Sequence, residues 1–212
     1  MLRTTSLENY DAWTTGELAF ASPEVTNAAE TMGSIFKNPD YVYGGTQGIV
    51  STSFGDAILP IFEDPPRCWL HRQASFITSF IPEQEAGVDY DFFYFPPIDE
   101  EYGRPFLIAG DIYAMFNDRP EVRAVMEFFT RGESVRGWLE IGGTLAMHKD
   151  IDPAWYGNEI ERGIAEIAST ATSVRFDGSD LMPGEVGAGS FWTGMTNFIA
   201  GTVDLETALE EI

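Results

Sequence analysis

Three consecutive polar side chains, His71, Arg72 and Gln73, lie in the segment CWLHRQA at residues 68–74. The apolar residues before them predict a short strand, and ligands of α/β sheets bind beyond the carboxyl ends of strands. An imidazole, a guanidinium and an amide together supply the donors and acceptors that hydroxyl-rich ligands need. The three residues are therefore candidate ligand-binding groups, and the alternative is an ordinary solvated strand end.

A second candidate, Trp192, lies in the small-residue segment GAGSFWTGM at residues 187–195, which opens a predicted helix. The small residues allow a ligand to approach the free backbone N–H groups of the first helical turn. The apolar stripe of that helix consists of Phe191, Met195 and Phe198. Trp192 lies off this stripe, where an indole suits stacking on the apolar face of a pyranose ring. The alternative is a tryptophan packed in the core.

Carboxylates cluster in the segment FDGSDLMP at residues 176–183, which contains Asp177 and Asp180 and is followed by Glu185. Paired carboxylates are the catalytic groups of glycoside hydrolases, so a small carbohydrate hydrolase is the alternative function. The Asp-Gly-Ser sequence is also ordinary turn chemistry. With 34 acidic residues in 212, close carboxylates also occur by chance.

Gly110 and Asp111 separate two predicted strands, at residues 105–108 and 112–116. Asp111 is a candidate binding residue if the chain crosses a ligand cleft at this point. A β-bulge is the alternative.

Charge and composition exclude several classes of function. Lys and Arg number 12 against 34 Asp and Glu, and the resulting net charge of -22 repels nucleic-acid backbones and anionic lipid surfaces. Cys68 is the only cysteine, so an intrachain disulfide and a Cys-based zinc site are excluded. His71 and His148 are far apart in sequence, and no His or Cys spacing resembles a metal site. We therefore predict no metal and no cofactor.

Hydrophobic periodicity predicts helices at both ends of the chain and short strands between them. The predicted helices lie at residues 22–38, 50–61, 120–132, 160–167, 191–201 and 204–212. The predicted strands lie at residues 67–70, 91–95, 105–108 and 112–116. This order is not a simple β-α-β-α alternation, and it favours an α/β sheet that is completed by chain outside this sequence.

Five motifs, in their order along the chain, resemble those of extracellular solute-binding proteins of carbohydrate ABC importers, and most of all the α-glucoside-binding group. They are CWLHRQA at 68–74, DFFYFP at 91–96, AGD at 109–111, FDGSDLMP at 176–183 and GSFW at 189–192. Each motif is short, but five in order are fairly specific, and the resemblance covers nearly the whole chain.

The resemblance implies a helix-rich α/β fold of the type II periplasmic-binding-protein class, present in part. The second, C-terminal lobe would comprise residues 1–103 and the helical residues 151–212, and residues 104–150 would return to the first lobe. The sequence begins without a signal peptide or most of a first lobe. We therefore expect it to be the C-terminal half of a longer chain.

The resemblance also implies a binding site. Trp192 matches the position where relatives stack an aromatic ring on the sugar. The implied ligand-binding residues are His71, Arg72, Gln73, Asp111, Ser190 and Trp192.

The function implied is that of the sugar-binding component of an ABC importer, which is not an enzyme, with a neutral di- or oligosaccharide such as an α-glucoside as ligand. Its partners would be the ABC permease and the missing N-terminal lobe. It would be periplasmic or extracellular and would reach the membrane through the transporter.

Two alternatives make different structural predictions. A hydrolase would bring two carboxylates into one pocket, about 5 to 10 Å apart. A non-binding interaction domain would bury Trp192 with no cavity beside it.

Overall fold

The computed structural model describes residues 1–81, 83–84 and 86–212, and within them the protein is rich in helix, with one small sheet. The α-helices are α1 (Leu7–Thr14), α2 (Pro23–Phe36), α3 (Gly45–Ser51), α4 (Pro120–Phe129), α5 (Arg136–Ile141), α6 (Glu159–Thr170), α7 (Gly178–Leu181), α8 (Phe191–Ala200) and α9 (Leu205–Glu211). The strands are β1 (Phe106–Ile108) and β2 (Val174–Phe176). Short 3-10 helices and one π-helix connect several of these elements.

The chain divides into two compact units. Unit 1 consists of Met1–Ser53, Phe95–Ala109 and Thr172–Ile212. Unit 2 consists of Phe54–Tyr94 and Gly110–Ala171. The chain therefore passes between the units repeatedly. The lobe boundaries at residues 103 and 150 stay a prediction.

The sheet of unit 1 is a parallel pair in which Phe106 is aligned with Val174 and Ile108 with Phe176. The strand predicted at 105–108 is therefore confirmed, whereas its partner β2 was not predicted. The strands predicted at 67–70, 91–95 and 112–116 are wrong, since these residues have no regular secondary structure. A short apolar run forms a strand only when a neighbouring strand completes its hydrogen bonds and its side chains are covered.

The predicted helices are confirmed for α2, α4, α6, α8 and α9, within a few residues at their ends. The side chain of Ser22 accepts a hydrogen bond from the N–H of Val25 and so caps α2, as its sequence signal indicates. The helix predicted at 50–61 is wrong, because α3 ends at Ser51 and only a 3-10 helix follows, at Leu59–Phe62. Pro60 removes an N–H donor and so disfavours a longer helix there.

The core of unit 1 forms around Trp13 on α1. Its ring meets the rings of Tyr10, Phe20 and Phe191 edge-on, each at a centroid distance of 5.6 Å. Val25, Met182 and Leu209 complete the buried cluster. This core therefore joins α1 to the start of α8, where Trp192 lies.

Strand β2 is held against α1 by two polar contacts. The Tyr10 hydroxyl donates to the carbonyl oxygen of Phe176 at 2.7 Å. The guanidinium of Arg175 forms a two-pronged ion pair with the Asp11 carboxylate, with N–O distances of 2.6 and 2.8 Å. Gly178 follows closely under Trp13, since a β-carbon there would lie 2.5 Å from the indole. The end of β2 and the start of α7 are thus fixed to α1.

Tyr10 gives unit 1 a measurable pH dependence. Burial, followed by the nearby charge of Asp177, raises the pKa of Tyr10 from 10.0 to about 12. The stability that this neutral, hydrogen-bonded phenol contributes is complete below pH 10 and is lost as pH rises from 10 to 12. We expect Tyr10→Phe to cost about 1 kcal/mol at pH 8 and the difference from wild type to shrink above pH 10. Urea unfolding from pH 8 to 12 measures this, with the exposed Tyr41→Phe as control; a difference that is constant with pH would contradict it.

The core of unit 2 includes Leu139 on α5 and Ile160 on α6. The face of α4 predicted to be buried, which consists of Val122, Val125, Met126 and Phe129, contains no buried residue. Val125 is 51% exposed, so that part of the prediction is wrong. Periodicity reports that a helix is amphipathic, but not whether something covers its apolar face.

No helix in the described part of the chain combines the length and the apolar character that a membrane crossing requires.

Candidate ligand-binding site

Trp192 lies on the first turn of α8 and is 73% exposed. The preceding residue, Phe191, points inward and contacts Trp13 and Phe20. Since successive helical residues are rotated by about 100°, the helix packs one aromatic ring against the core and presents the next to solvent. The alternative of a core tryptophan is therefore wrong, and so is the buried Trp192 expected of a non-binding interaction domain.

A π-helix, Glu185–Ser190, leads directly into α8 and sets the position of Trp192. π-Turns inside helices are rare and occur frequently at functional sites. Gly187 makes this turn possible, because a β-carbon there would overlap the carbonyl oxygen of Ser179 in α7. The small-residue run indicates close backbone approach at this point, but nothing in it distinguishes a π-turn from an ordinary first helical turn.

Ser190 is half-buried beside this turn, and its hydroxyl donates to the carbonyl oxygen of Ile212 at 3.1 Å. The hydroxyl proton is therefore used within the protein. A ligand at Ser190 would meet the lone pairs of the oxygen, which accept hydrogen bonds.

His71, Arg72 and Gln73 lie in unit 2, in an extended segment that ends at a 3-10 helix, Ser75–Phe80. The Nε2 atom of His71 is buried and has no hydrogen-bond partner within residues 1–81, 83–84 and 86–212. Burial lowers the pKa of His71 from 6.5, so its imidazole is neutral at pH 7. The Arg72 side chain is exposed, and Gln73 is half-buried. The strand predicted before these three residues is wrong, since residues 67–70 form no strand, and their role in ligand binding stays a prediction.

Asp111 belongs to unit 2 and lies in an exposed, irregular segment. The following residues are exposed as well, with Ile112 at 82%. Asp111 therefore does not separate two strands, because β1 precedes it but residues 112–116 form no strand.

The three carboxylates of the hydrolase alternative lie in a helix cap and at exposed helical positions. The Asp177 carboxylate accepts a hydrogen bond from the Ser179 N–H at 2.9 Å and caps α7. Asp180 and Glu185 are exposed residues at the starts of their helices. Among the described residues no group of three His, Cys, Asp or Glu side chains is arranged to hold a metal ion. The Asp-Gly-Ser sequence therefore acts as turn and cap chemistry.

Unit 1 presents an exposed indole on α8, and unit 2 contains a neutral imidazole followed by polar side chains. Aromatic faces and uncharged polar groups are typical of proteins that bind small hydroxyl-bearing solutes. Comparison with known proteins points to the class of binding proteins. The osmoprotective compounds-binding protein GgtB of Synechocystis sp. is 45% identical over 201 residues, which cover 95% of this chain and 48% of that protein. The alpha-glucosides-binding periplasmic protein AglE of Rhizobium meliloti is 42% identical over 211 residues, which cover 98% of this chain and 46% of that protein.

The chain is therefore homologous to solute-binding proteins, and the resemblance inferred from its motifs is confirmed. It spans about half the length of the curated relatives it matches. No protein-family model matches the chain, and no solved structure matches it. Both relatives are named as binding proteins, which agrees with the prediction that the chain is not an enzyme.

These relatives support a fold like that of periplasmic binding proteins. The helix-rich architecture with a small sheet is consistent with it. The assignment of residues to particular lobes is not tested by these relatives and stays a prediction.

Proposed function

We propose that this chain is part of the sugar-binding component of an ABC-type carbohydrate importer, with a neutral di- or oligosaccharide such as an α-glucoside as its ligand. The observation that carries the proposal is the exposed Trp192 ring at the start of α8. An aromatic face of this size in water gains free energy when an apolar sugar face covers it. The name of one relative, which binds alpha-glucosides, supports the same ligand class.

The polar residues of the proposed site suit a neutral ligand. We assign hydrogen bonds with sugar hydroxyls to His71, Arg72, Gln73, Asp111 and Ser190. His71 is neutral at pH 7 and therefore favours an uncharged partner. The net charge of -22 disfavours anionic solutes, whereas a sugar without charge is not repelled.

The proposed lobe assignment follows the resemblance. Residues 1–103 and 151–212 would form the second lobe, and residues 104–150 would return to a first lobe supplied by an N-terminal part of the protein. Support comes from the matched length, about half of each relative. Large apolar side chains such as Ile112, Tyr113 and Phe116 are exposed within 104–150, which is typical of surface that another part of a protein covers.

We further propose that the protein works in the periplasm or outside the cell and delivers its ligand to the transmembrane subunits of an ABC permease. Support comes from the name of one relative, which describes that protein as periplasmic. Lobe closure around the ligand would distinguish the loaded form for the permease.

Isothermal titration calorimetry of the protein expressed from its complete reading frame tests this function. We expect heat of binding with at least one of maltose, trehalose and sucrose. Glycine betaine, an osmoprotectant without sugar hydroxyls, is the contrasting solute, because one relative is named for osmoprotective compounds. Binding of glycine betaine without binding of any sugar would overturn the sugar assignment.

A further inference from the structure

Among the described residues of unit 2, the most deeply buried charged side chain has no part in the site described above. Glu161 on α6 is only 1% exposed. Its Oε1 atom accepts a hydrogen bond from the N–H of Gly143 and another from the hydroxyl of Thr78, the latter at 3.2 Å. Its Oε2 atom is buried and has no hydrogen-bond partner among the residues described. Burying a carboxylate with one oxygen unpaired costs free energy of folding, so the position of Glu161 requires an explanation.

These contacts join three separate segments of unit 2. Thr78 belongs to the 3-10 helix Ser75–Phe80, Gly143 belongs to the turn after α5, and Glu161 lies on the first turn of α6. Asn158 caps α6 through the N–H of Glu161 at 2.9 Å, so the carboxylate projects from a fixed helical start. The carboxylate is therefore a common anchor for the other two segments.

The turn is shaped to approach this anchor. Gly142 and Gly143 have φ values of 94° and 80°, which favour glycine. A β-carbon at Gly142 would lie 3.2 Å from Oε1 of Glu161, and one at Gly143 would overlap the hydroxyl oxygen of Ser79. The turn is thus packed between Glu161 and the 3-10 helix with no room for side chains.

The anchored 3-10 helix is continuous with the proposed ligand-binding segment. His71, Arg72 and Gln73 are separated from it by Ala74 alone, and Ala74 is the N-cap residue of the helix. The segment itself has no regular secondary structure to fix it. Its position therefore depends on where the 3-10 helix is held, and Thr78 is the residue through which Glu161 holds it.

We propose that Glu161 is a positioning residue for ligand binding: through Thr78 and the Gly142–Gly143 turn it fixes the segment that carries His71, Arg72 and Gln73. Glu161 does not contact the ligand in this proposal. The proposal rests on the proposed sugar-binding function.

The test uses the protein from its complete reading frame and whichever of maltose, trehalose and sucrose binds most tightly. We expect Glu161→Ala to raise the Kd about tenfold, because it frees the Gly143 turn and the 3-10 helix together. Thr78→Val removes only the hydroxyl donor and should raise the Kd less, whereas Thr78→Ser keeps the hydroxyl and should restore wild-type affinity. If Glu161→Ala fails to fold, the difference in Kd between Thr78→Val and Thr78→Ser tests the proposal instead. Glu166→Ala, on the exposed side of α6, is the matched control.

A double-mutant cycle with Arg72→Ala separates positioning from a general loss of structure. If Glu161 acts through the segment, Glu161→Ala should weaken binding less in the Arg72→Ala background than in wild type. Hydrogen exchange should become faster at residues 75–80 and 142–144 in Glu161→Ala but not in Glu166→Ala. Two results would overturn the positioning role and leave the sugar-binding function standing. One is that the fold-changes in Kd of Glu161→Ala and Arg72→Ala simply multiply in the double variant, which means that the two residues act independently. The other is an unchanged Kd in both Glu161→Ala and Thr78→Val. A wild-type protein that binds none of the three sugars overturns the function itself, and the positioning role with it.

Discussion

Gly187→Ala is expected to lower the free energy of unfolding by about 3 kcal/mol, at the upper end of what overpacking costs. The added methyl group would overlap the carbonyl oxygen of Ser179 and lie 2.9 Å from the carbonyl carbon. Both atoms belong to the backbone of α7, so no side-chain rotation can relieve the contact. Either α7 or the π-helix Glu185–Ser190 must move, and both pack on the core around Trp13.

The matched control is Gly189→Ala in the same π-helix. A β-carbon at Gly189 would meet only the carbonyl oxygen of Gly184, at an ordinary contact distance of 3.6 Å. Replacing a helical glycine by alanine without a clash stabilises by up to about 1 kcal/mol. Urea unfolding of the two variants measures the contrast. Equal stabilities for Gly187→Ala and Gly189→Ala would show that α7 and the π-helix do not pack as described.

The helices of unit 1 illustrate what local sequence determines. Ser22 and Pro23 specify the start of α2 by capping and by the fixed φ of proline, and Gly201 in the left-handed conformation ends α8. These signals act within one turn of helix and need no tertiary partner. They were therefore readable from the sequence.

The strands show where local reasoning fails. Residues 105–108 and 112–116 are similar apolar runs, yet only the first is a strand, because only it pairs with β2 across a long separation in sequence. Trp69 is 80% exposed although the run around it predicted a buried strand. Apolar composition indicates that burying a segment is favourable, but the composition of the segment does not determine which other segment covers it.

The candidate site also has features that the sequence indicates and features that depend on tertiary packing. Residue chemistry and family motifs indicated Trp192 and His71, but the sequence left open whether Trp192 was core or surface. That depended on Phe191 filling the space beside Trp13, which is a property of packing. Glu161 gave no signal at all, since a glutamate in the first turn of an acidic helix is normally solvated. Its burial becomes visible only when Thr78 and Gly143 are brought to it.

Trp192→Ala is expected to raise the Kd for the bound sugar about 50-fold, which corresponds to about 2.3 kcal/mol. The indole offers the sugar a broad apolar face, and its removal forfeits both the burial of that face and the stacking geometry. Because Trp192 is 73% exposed and Phe191 supplies the core contact, the free energy of unfolding should change by less than about 0.5 kcal/mol. Trp192→Phe keeps an aromatic face and should lose only about fivefold in affinity.

The measurement is titration calorimetry on wild type and variants, with thermal unfolding in parallel. Trp138→Ala is the matched control, since Trp138 on α5 is a partly exposed tryptophan with no role in the proposed site, and its variant should bind within about twofold of wild type. The contrast works because both indoles are exposed, while only Trp192 is proposed to be covered by the ligand. Unchanged affinity in Trp192→Ala would mean that the exposed ring serves a purpose other than stacking on sugar. Loss of affinity accompanied by an equal loss of stability would mean that the ring supports the first turn of α8 instead.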